Sequence, residues 1–256
     1  MHQIIAYITF LLKATNQHGV HSPFIYNFVT KCLYDKTNYD SYSKLSNYRN
    51  ALFRNNDTIE ITDFGSGSRV FRSNIRTTSA IAKKSGAPIK HAKLFYRLTH
   101  YFKPKSTLEL GTSLGMATHA MALGCAENQI ISIEGCPNIS IYAKRQLAMS
   151  KIENVVVETG EFRSVIPKLK ESNYDLIFFD GHHNKDATIQ YFESLLTKAH
   201  NETLFVFDDI YWSKGMTEAW NYIKAHNSVT VTVDCFHLGF VFFRKEQVKE
   251  HFKIRL

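Results

Sequence analysis

Two apolar stretches of the sequence end in acidic and imidazole side chains that could do chemistry. The first, YDLIFFDGHH, delivers Asp180, His182 and His183, and the second, LFVFDD, delivers Asp208 and Asp209. Because the carboxyl ends of adjacent parallel strands meet at the same edge of a sheet, the three carboxylates are expected to converge there. Like charges at such a distance are unfavourable without a cation between them. A hard divalent ion such as Mg²⁺ is therefore the predicted occupant.

A glycine-spaced loop follows another apolar run, in the segment TLELGTSLG at 107–115. Gly111 and Gly115 let the backbone approach a ligand where a Cβ would collide, and the helix expected after the loop offers unpaired N–H groups. A further apolar run ends on Glu134, whose carboxylate can accept both hydroxyls of a ribose. The spacing predicts a nucleoside-cofactor site at the carboxyl end of a parallel sheet.

From residue 106 onward, strand-like segments alternate regularly with segments of helix length, and these elements must position the residues named above. Strand-like runs are separated by helix-length intervals and occur at 106–110, 129–134, 153–158, 174–179 and 203–207. This spacing predicts βαβ units and a mostly parallel sheet, so the expected fold class is α/β. The alternating run 229–233 and the apolar run 239–243 then predict an antiparallel hairpin at the sheet edge.

The front of the chain differs in pattern and charge. Residues 1–105 read as mainly helical, with Ser22 and Pro23 as a helix start signal, and residues 35–58 as loop or short helices. This region holds 16 Lys and Arg against 5 Asp and Glu, whereas residues 106–256 hold 15 against 18. Its charge predicts either contact with an anionic partner or a solvated helical face.

The glycine loop resembles motif I of the class I S-adenosylmethionine (SAM) methyltransferases, which place an acid before G-x-x-x-G. It departs from the dinucleotide fingerprint G-x-G-x-x-G, so a dehydrogenase is less favoured. The resemblance covers residues 106–244 and implies a Rossmann-like sheet with an antiparallel final hairpin strand. It divides the chain into a basic region at 1–105, acting as a lid or in substrate or oligomer contacts, and a SAM-binding domain at 106–256. The cofactor residues it implies are Glu109, Gly111, Thr112, Ser113, Gly115, Glu134, Gly135, Gly160, Glu161, Phe162 and Asp180.

The acids after the later strands are similar to those of the metal-dependent O-methyltransferases, both the catechol and caffeoyl-CoA type and the sugar type of antibiotic pathways. Asp180 matches the first metal acid of that family and Asp208 with Asp209 the pair after the next strand, although catechol-type enzymes end this pair in Asn. The resemblance implies a metal that lowers the pKa of a substrate hydroxyl, with His182 or His183 as the base that removes its proton. The alternative is that these strand-end acids serve only the cofactor or cap the next helix.

A second segment, IEITDFGSGS at 59–68, also looks like a strand entering a glycine turn. The basic stretch that follows it does not suit a helix packed on a sheet, so we interpret the segment as a short extended piece with a turn. Its arginines Arg69, Arg72 and Arg76 could still face an anion. The C-terminal stretch Lys245 to Leu256 is interpreted as a basic amphipathic helix.

These patterns favour a SAM-dependent O-methyltransferase, assisted by Mg²⁺ or another divalent cation and acting on a small hydroxylated substrate. The basic region is compatible with an anionic one. Two alternatives stay open: a metal-independent enzyme that methylates RNA or a lipid headgroup, and a SAM-binding protein without turnover. Nucleic acid is the less favoured partner, and a homodimer is compatible with the sequence. The apolar run 4–12 is shorter than the roughly 20 residues that span a bilayer, and no signal-peptide pattern is found, so the expected location is cytoplasmic.

Overall fold

The computed structural model describes residues 1–62 and 74–256 and divides into two compact units. Residues 1–34 and 170–256 form the first unit, and residues 35–169 form the second unit. The second unit is therefore inserted into the first along the chain. The boundary expected near residue 105 falls between a helix and a strand inside the second unit, and as a functional division it stays a prediction.

The first unit begins with two helices, α1 at His2–Lys13 and α2 at Pro23–Phe28. The start signal predicted for α2 is confirmed, because Ser22 Oγ accepts a hydrogen bond from the amide of Ile25 and Pro23 occupies the first helical position. A wider turn of π-helix at Val29–Leu33 continues α2.

The second unit contains the glycine loop and the strands on either side of it. Its elements in chain order are α3 at Ser41–Arg54, β1 at Thr58–Glu60, β2 at Ile75–Thr77, α4 at Thr78–Ser85, α5 at Ile89–Phe102, β3 at Ser106–Leu110, α6 at Met116–Gly124, β4 at Gln129–Glu134, α7 at Pro137–Met149, β5 at Val155–Thr159 and α8 at Phe162–Val165. Strands β3, β4 and β5 are parallel neighbours in that order, while β1 and β2 form an antiparallel pair.

One helix of the second unit lies where loop or short helices were expected. The 14-residue helix α3 forms because Tyr42, Leu45, Tyr48 and Leu52 recur at helical spacing and are buried together on one face. Tyr48 and Leu52 pack with Ile59 of β1, Ile81 of α4 and Leu114 of the glycine loop, among other buried residues. The expectation of loop or short helices at 35–58 thus missed one longer helix of 14 residues, and this helix is part of the support of the glycine loop.

The remaining elements of the first unit follow residue 170. They are β6 at Leu176–Phe179, α9 at Lys185–Leu196, β7 at Leu204–Asp208, α10 at Lys214–Ala225, β8 at Val231–Asp234, β9 at Leu238–Phe242 and β10 at Glu250–Lys253. The strands lie in the order β6-β7-β9-β8-β10. The pair β6 and β7 is parallel, β9 runs antiparallel to both β7 and β8, and β10 is parallel to β8.

The predicted fold class is confirmed: the chain is α/β, its sheet strands are mostly parallel, and a hairpin strand near the C-terminus is antiparallel. Two details of the C-terminal region are corrected. The hairpin does not form the edge, because β10 lies beyond β8. Residues 250–253 form that strand and not a helix, since pairing with β8 buries Phe252.

Two further expectations concern segments outside the sheet. Within residues 1–62 and 74–256, no helix combines the length and the apolar character that a membrane crossing needs. The turn of the rival segment at 59–68 and its arginines Arg69 and Arg72 lie outside the described residues, whereas Arg76 lies in β2.

Candidate functional site

The glycine loop between β3 and α6 has the backbone shape that its sequence predicts. Gly111 adopts a φ of 108° and Gly115 a φ of 76°, and Ser113 between them also has a positive φ of 47°. The amide of Gly111 donates to the carbonyl of Ile133 at 2.9 Å, which fixes the loop to β4. Side chains with a Cβ are strained at the two glycine conformations, so the loop leaves its backbone open to close approach.

Glu134, at the end of β4, is tied to this loop. Its Oε2 accepts from the amide of Ser113 at 2.8 Å, and its Oε1 accepts from the amide of Cys136 at 2.9 Å. Burial raises the pKa of Glu134, and these backbone donors oppose the rise. Since a carboxylate can accept about four hydrogen bonds, Glu134 keeps capacity for further donors such as the two hydroxyls of a ribose.

A buried polar network underlies the loop and includes the acid of its motif. Glu109 is fully buried in β3, and its Oε2 accepts from the hydroxyls of Thr118 in α6 and Ser132 in β4, each at 2.5 Å. Ser132 in turn lies 2.6 Å from the hydroxyl of Thr112 in the loop. Burial raises the pKa of Glu109 to about 7. Its second oxygen has no partner in the described part of the chain.

A pair of stacked rings, Tyr48 of α3 and His119 of α6, lies beside the loop. The hydroxyl of Tyr48 donates to the carbonyl of Leu114 at 2.8 Å, and a Cβ added to Gly115 would lie 2.9 Å from that hydroxyl oxygen. The ring of His119 in α6 stacks on the ring of Tyr48, with centroids 4.3 Å apart. His119 is almost completely buried, and burial lowers its pKa to about 4.

The other predicted cofactor residues follow β4 and β5. Gly135, next to Glu134, is partly buried. Gly160 has a φ of 152°, and its amide donates to the carbonyl of Glu134 at 2.9 Å, so the ends of these two strands are joined. Glu161 is exposed at the start of α8, and Phe162 is buried.

The described residues of the second unit fit the nucleoside end and the carboxylate end of SAM. The positive-φ loop admits a ligand close to its backbone, Glu134 offers acceptors, and no described side chain caps the start of the nine-residue helix α6. The unpaired N–H groups of that first turn can hold a carboxylate. Glycine loop, helix start and Glu134 are hereafter called the cofactor cradle.

The predicted catalytic and metal residues lie together in the first unit, after β6 and at the end of β7. Asp180 and Asp208 are joined by a side-chain hydrogen bond, and Nε2 of His183 lies 3.6 Å from Oδ1 of Asp180. The ring nitrogen Nδ1 of His182 lies 3.4 Å from the hydroxyl of Tyr191. His182, His183 and Asp209 all have positive φ, with values of 63°, 27° and 53°.

Burial and like charge control the protonation of this acid cluster. Burial, followed by the negative charge of Asp209, raises the pKa of Asp208 to about 7. Burial lowers the pKa of His183, with Asp209 opposing the shift and His182 adding to it. A neutral His183 at neutral pH can accept a proton, and a hydrogen-bonded pair of carboxyl groups can retain one.

The acid cluster has the oxygen donors that hard cations take, but its arrangement does not make a metal centre. Among the described residues, no group of three or more His, Cys, Asp or Glu side chains is placed so that it could hold a metal ion. Asp180 and Asp208 instead bond to each other.

The part of the chain that contains the cofactor cradle matches a known protein family. Residues 108–210 match a family model described as a methyltransferase domain. Over these residues the chain is similar to methyltransferase domains. The matched range begins in β3 and ends just after β7, so it includes the cofactor cradle and the acid cluster. A search of the curated proteins gives no significant match.

Solved structures share the fold of this methyltransferase at low sequence identity. The methyltransferase PaMTH1 of Podospora anserina, bound to SAH, is 13% identical with a TM-score of 0.61, and the alignment covers 88% of this chain and 97% of that one. The O-methyltransferase TomG of Streptomyces achromogenes, involved in tomaymycin synthesis and in complex with SAM, is 14% identical with a TM-score of 0.58 and coverage of 81% and 91%. An O-methyltransferase of Bacillus cereus in complex with SAH is 16% identical, with a TM-score of 0.54 and coverage of 81% and 92%.

These findings confirm the resemblance to class I SAM-dependent methyltransferases and the prediction that the chain is an enzyme of that class. The role assigned to each site residue stays a prediction. The sequence analysis did not identify four residues beneath or beside the cradle: Tyr48, Thr118, His119 and Ser132. The buried helical spacing of α3 carries a signal for Tyr48, whereas Thr118 and Ser132 are ordinary residues until the fold brings them to Glu109.

Proposed function

We propose that the chain transfers the methyl group of SAM to a hydroxyl oxygen of a small molecule. The observation that carries the proposal is the cofactor cradle, in which Glu134 accepts the amide of Ser113 across a loop held open by Gly111 and Gly115. Support for oxygen as the acceptor comes from structural neighbours such as TomG, which is an O-methyltransferase. When bound, SAM supplies a methyl group on a positively charged sulfur that a nucleophilic oxygen can take.

In this proposal, the residues of the chain bind and orient the cofactor and handle one proton. Glu134 holds the ribose, and the first turn of α6 holds the carboxylate of the methionyl part. His183 Nε2, or its neighbour His182, accepts the proton that the acceptor hydroxyl loses. Asp180 lies 3.6 Å from that nitrogen of His183, where its carboxylate can stabilise the imidazolium that forms. Fixing donor and acceptor in line can contribute roughly 7–11 kcal/mol to catalysis.

The first prediction tests the cradle through cofactor binding. Glu134→Gln keeps the shape of the side chain but removes its charge, and we expect SAM affinity to fall about tenfold or more, since hydrogen bonds to a charged group are worth roughly 1.5–3 kcal/mol. Isothermal titration calorimetry measures the loss. Glu153→Gln, on an exposed loop residue of the same unit, is the matched control and should bind SAM as the wild type does. Equal affinity in all three proteins would contradict the role of Glu134.

The acceptor is identified with radiolabelled SAM. Incubation with phenolic, catecholic and sugar hydroxyl compounds, and with matched amines, should place label on oxygen in at least one product, as read by mass spectrometry. Label found on nitrogen alone, or intact SAM after incubation with every acceptor and with cell extract, would refute O-methylation. RNA and phospholipids, as further acceptors, test the alternative class of substrate.

Metal assistance is a finer part of the proposal and stays a prediction based on the resemblance at Asp180, Asp208 and Asp209. If a divalent cation is needed, EDTA should abolish methyl transfer while leaving SAM binding intact, and added Mg²⁺ or Mn²⁺ should restore it. The measurement is product formation over a titration of chelator and metal. Full activity in excess EDTA would refute the metal prediction and leave the histidines and carboxyl groups as the whole catalytic apparatus.

A further inference from the structure

Helix α1 exposes an apolar face to solvent. The exposed fractions are 67% for Ile4, 58% for Ile5, 53% for Ile8 and 82% for Leu12, and Met1 before the helix is also exposed. At 3.6 residues per turn, these side chains fall on one face about a third of the way around the helix. They are named here the α1 stripe.

The opposite face of α1 fixes the helix to the first unit, so the stripe is displayed on a rigid support. Phe10 is buried and its ring lies 5.6 Å from that of Phe236, while the ring of Tyr7 lies 4.8 Å from the same ring. Nε2 of His2 lies 2.9 Å from the hydroxyl of Thr217 in α10. A contiguous exposed apolar face of this kind marks a binding surface more often than a single exposed side chain does.

Two exposed cations lie at the end of α1. Lys13 is in the last turn of the helix, and the guanidinium of Arg255 donates to the carbonyl of Leu11 at 3.0 Å. Residues 1–34 contain no Asp or Glu. Glu218, which follows the residue that His2 contacts, is paired with Lys185 at 2.7 Å. The occupant of this face should therefore combine an apolar interior with negative charge at its margin.

A second copy of the chain does not supply this combination. If α1 packed on α1 of another copy, in either direction, Lys13 would meet no carboxylate from that segment, since residues 1–34 have none. An anionic phospholipid surface supplies acyl chains for the stripe and phosphates for Lys13 and Arg255. The helix has 12 residues and a length of about 18 Å, which suits a position in the plane of the interface and is too short to cross it.

We propose that α1 is a membrane-docking helix that lies in the surface of an anionic phospholipid bilayer. This inference goes beyond the proposed methyl transfer and does not depend on it, because it rests on the α1 stripe and its charges alone. Docking would hold the enzyme at a membrane through one face of the first unit, by apolar insertion of the stripe and by attraction of the cations to the headgroups.

The experiment is sedimentation of the full-length protein with vesicles. Wild-type protein should sediment with equimolar phosphatidylglycerol and phosphatidylcholine, and far less with phosphatidylcholine alone or at high salt. Ile8→Asp should weaken binding about tenfold or more, since it replaces an apolar side chain of the stripe by a charged one that does not insert among acyl chains. The matched control is Ile141→Asp on α7, where an isoleucine is 65% exposed outside the stripe, and it should bind as the wild type does.

Several outcomes overturn the proposal. Absence of sedimentation with anionic vesicles does so directly, and so does equal loss of binding in Ile8→Asp and Ile141→Asp. Light scattering supplies the other decisive reading: a wild-type dimer that Ile8→Asp converts to a monomer would assign the stripe to a second copy of the chain. Thermal unfolding of each variant verifies that it is folded. SAM titration, which is unaffected if α1 only docks, separates failure here from failure of the proposed function.

Discussion

Glu109 and His119 are buried titratable residues of the second unit whose pKa values shift in opposite directions. Burial raises the pKa of Glu109 from 4.5 to about 7, so the folded state keeps a proton that the unfolded chain loses. Burial lowers the pKa of His119 from 6.5 to about 4, so the unfolded chain takes up a proton that the folded state refuses. Glu109 therefore stabilises the fold less as pH rises from 4.5 to 7, and His119 less as pH falls from 6.5 to 4.

The two contributions oppose each other between pH 4.5 and 6.5, and single substitutions should reveal them. Glu109→Gln removes the pH-dependent contribution of Glu109 to stability and keeps that of His119. The free energy of unfolding should then rise with pH across this range more steeply than in the wild type. His119→Phe, which keeps a ring against Tyr48, should make it fall with pH. Each change is up to about 3 kcal/mol by linkage. Urea unfolding at a series of pH values measures it, and parallel curves for the two variants would contradict the assignment.

The residues of the site differ in how far the sequence could place them. Glu109, Gly111 and Glu134 could be proposed as site residues because the loop and the two strand ends around it are local patterns. The protonation of Glu109 could not be predicted, because it depends on hydroxyls from α6 and β4 that only the fold brings within 2.5 Å. The same is true of Asp208, since its pKa follows from burial and from the neighbouring acids.

At the scale of elements, the glycine loop and helix α3 constrain each other. Gly115 has a φ of 76°, and its missing Cβ makes room for the hydroxyl of Tyr48 that bonds to Leu114. A side chain at position 115 would strain the left-handed backbone and would also displace the hydroxyl of Tyr48. The loop and α3 should therefore lose their mutual support when any side chain is placed at 115.

Gly115→Ala tests this link between loop and helix. We expect a loss of about 1–3 kcal/mol in the free energy of unfolding, together with weaker SAM binding. Gly215→Ala is the control, because a Cβ there meets Lys185 Cβ at an ordinary 3.4 Å in helix α10, and it should be neutral or slightly stabilising. Denaturant unfolding and calorimetry give both values. If Gly115→Ala changed neither the free energy of unfolding nor SAM binding, the hydroxyl of Tyr48 would be shown to move aside at little cost.

The elements from β3 to β9 were predictable because buried strands of a parallel sheet are short apolar runs separated by helix-length intervals. Strand β10 was missed, because the basic residues of 245–256 were interpreted as an amphipathic helix. The alternation of polar and apolar residues from His251 to Leu256 has the period of two that favours a strand. Pairing with β8, a partner about 20 residues away in the sequence, realises that strand.

At the scale of the whole molecule, both ends of the described chain meet in the first unit. Thr15 donates its amide to Lys253 and accepts from the amide of Arg255, at 2.8 and 3.1 Å, and Ile254 between them is fully buried. The segment that follows α1 is thus held by the last residue of β10 and by the residues that follow it. Stability of the first unit should depend on this closure.

Ile254→Ala tests the closure. Truncation of a fully buried isoleucine should cost about 2–5 kcal/mol in the free energy of unfolding, and hydrogen exchange at the amide of Thr15 should quicken. Val248→Ala, at a residue that is 79% exposed, should change stability by less than about 0.5 kcal/mol. Urea unfolding and exchange mass spectrometry give the two readings. Unchanged exchange at Thr15 in Ile254→Ala would show that α1 is anchored elsewhere.

The separation of the first unit along the chain also sets the order in which it can fold during synthesis. Phe28 contacts Phe240 and Phe242, with ring centroids 5.3 and 5.6 Å apart, more than 200 residues later in the sequence. At roughly 5–20 residues per second, the ribosome leaves this aromatic segment without its partners for on the order of 10–40 s. Residues 35–169 can complete their own core meanwhile. Until Phe240 and Phe242 are synthesised, α2 exposes Phe28 and is therefore a target for a chaperone that shields apolar chain.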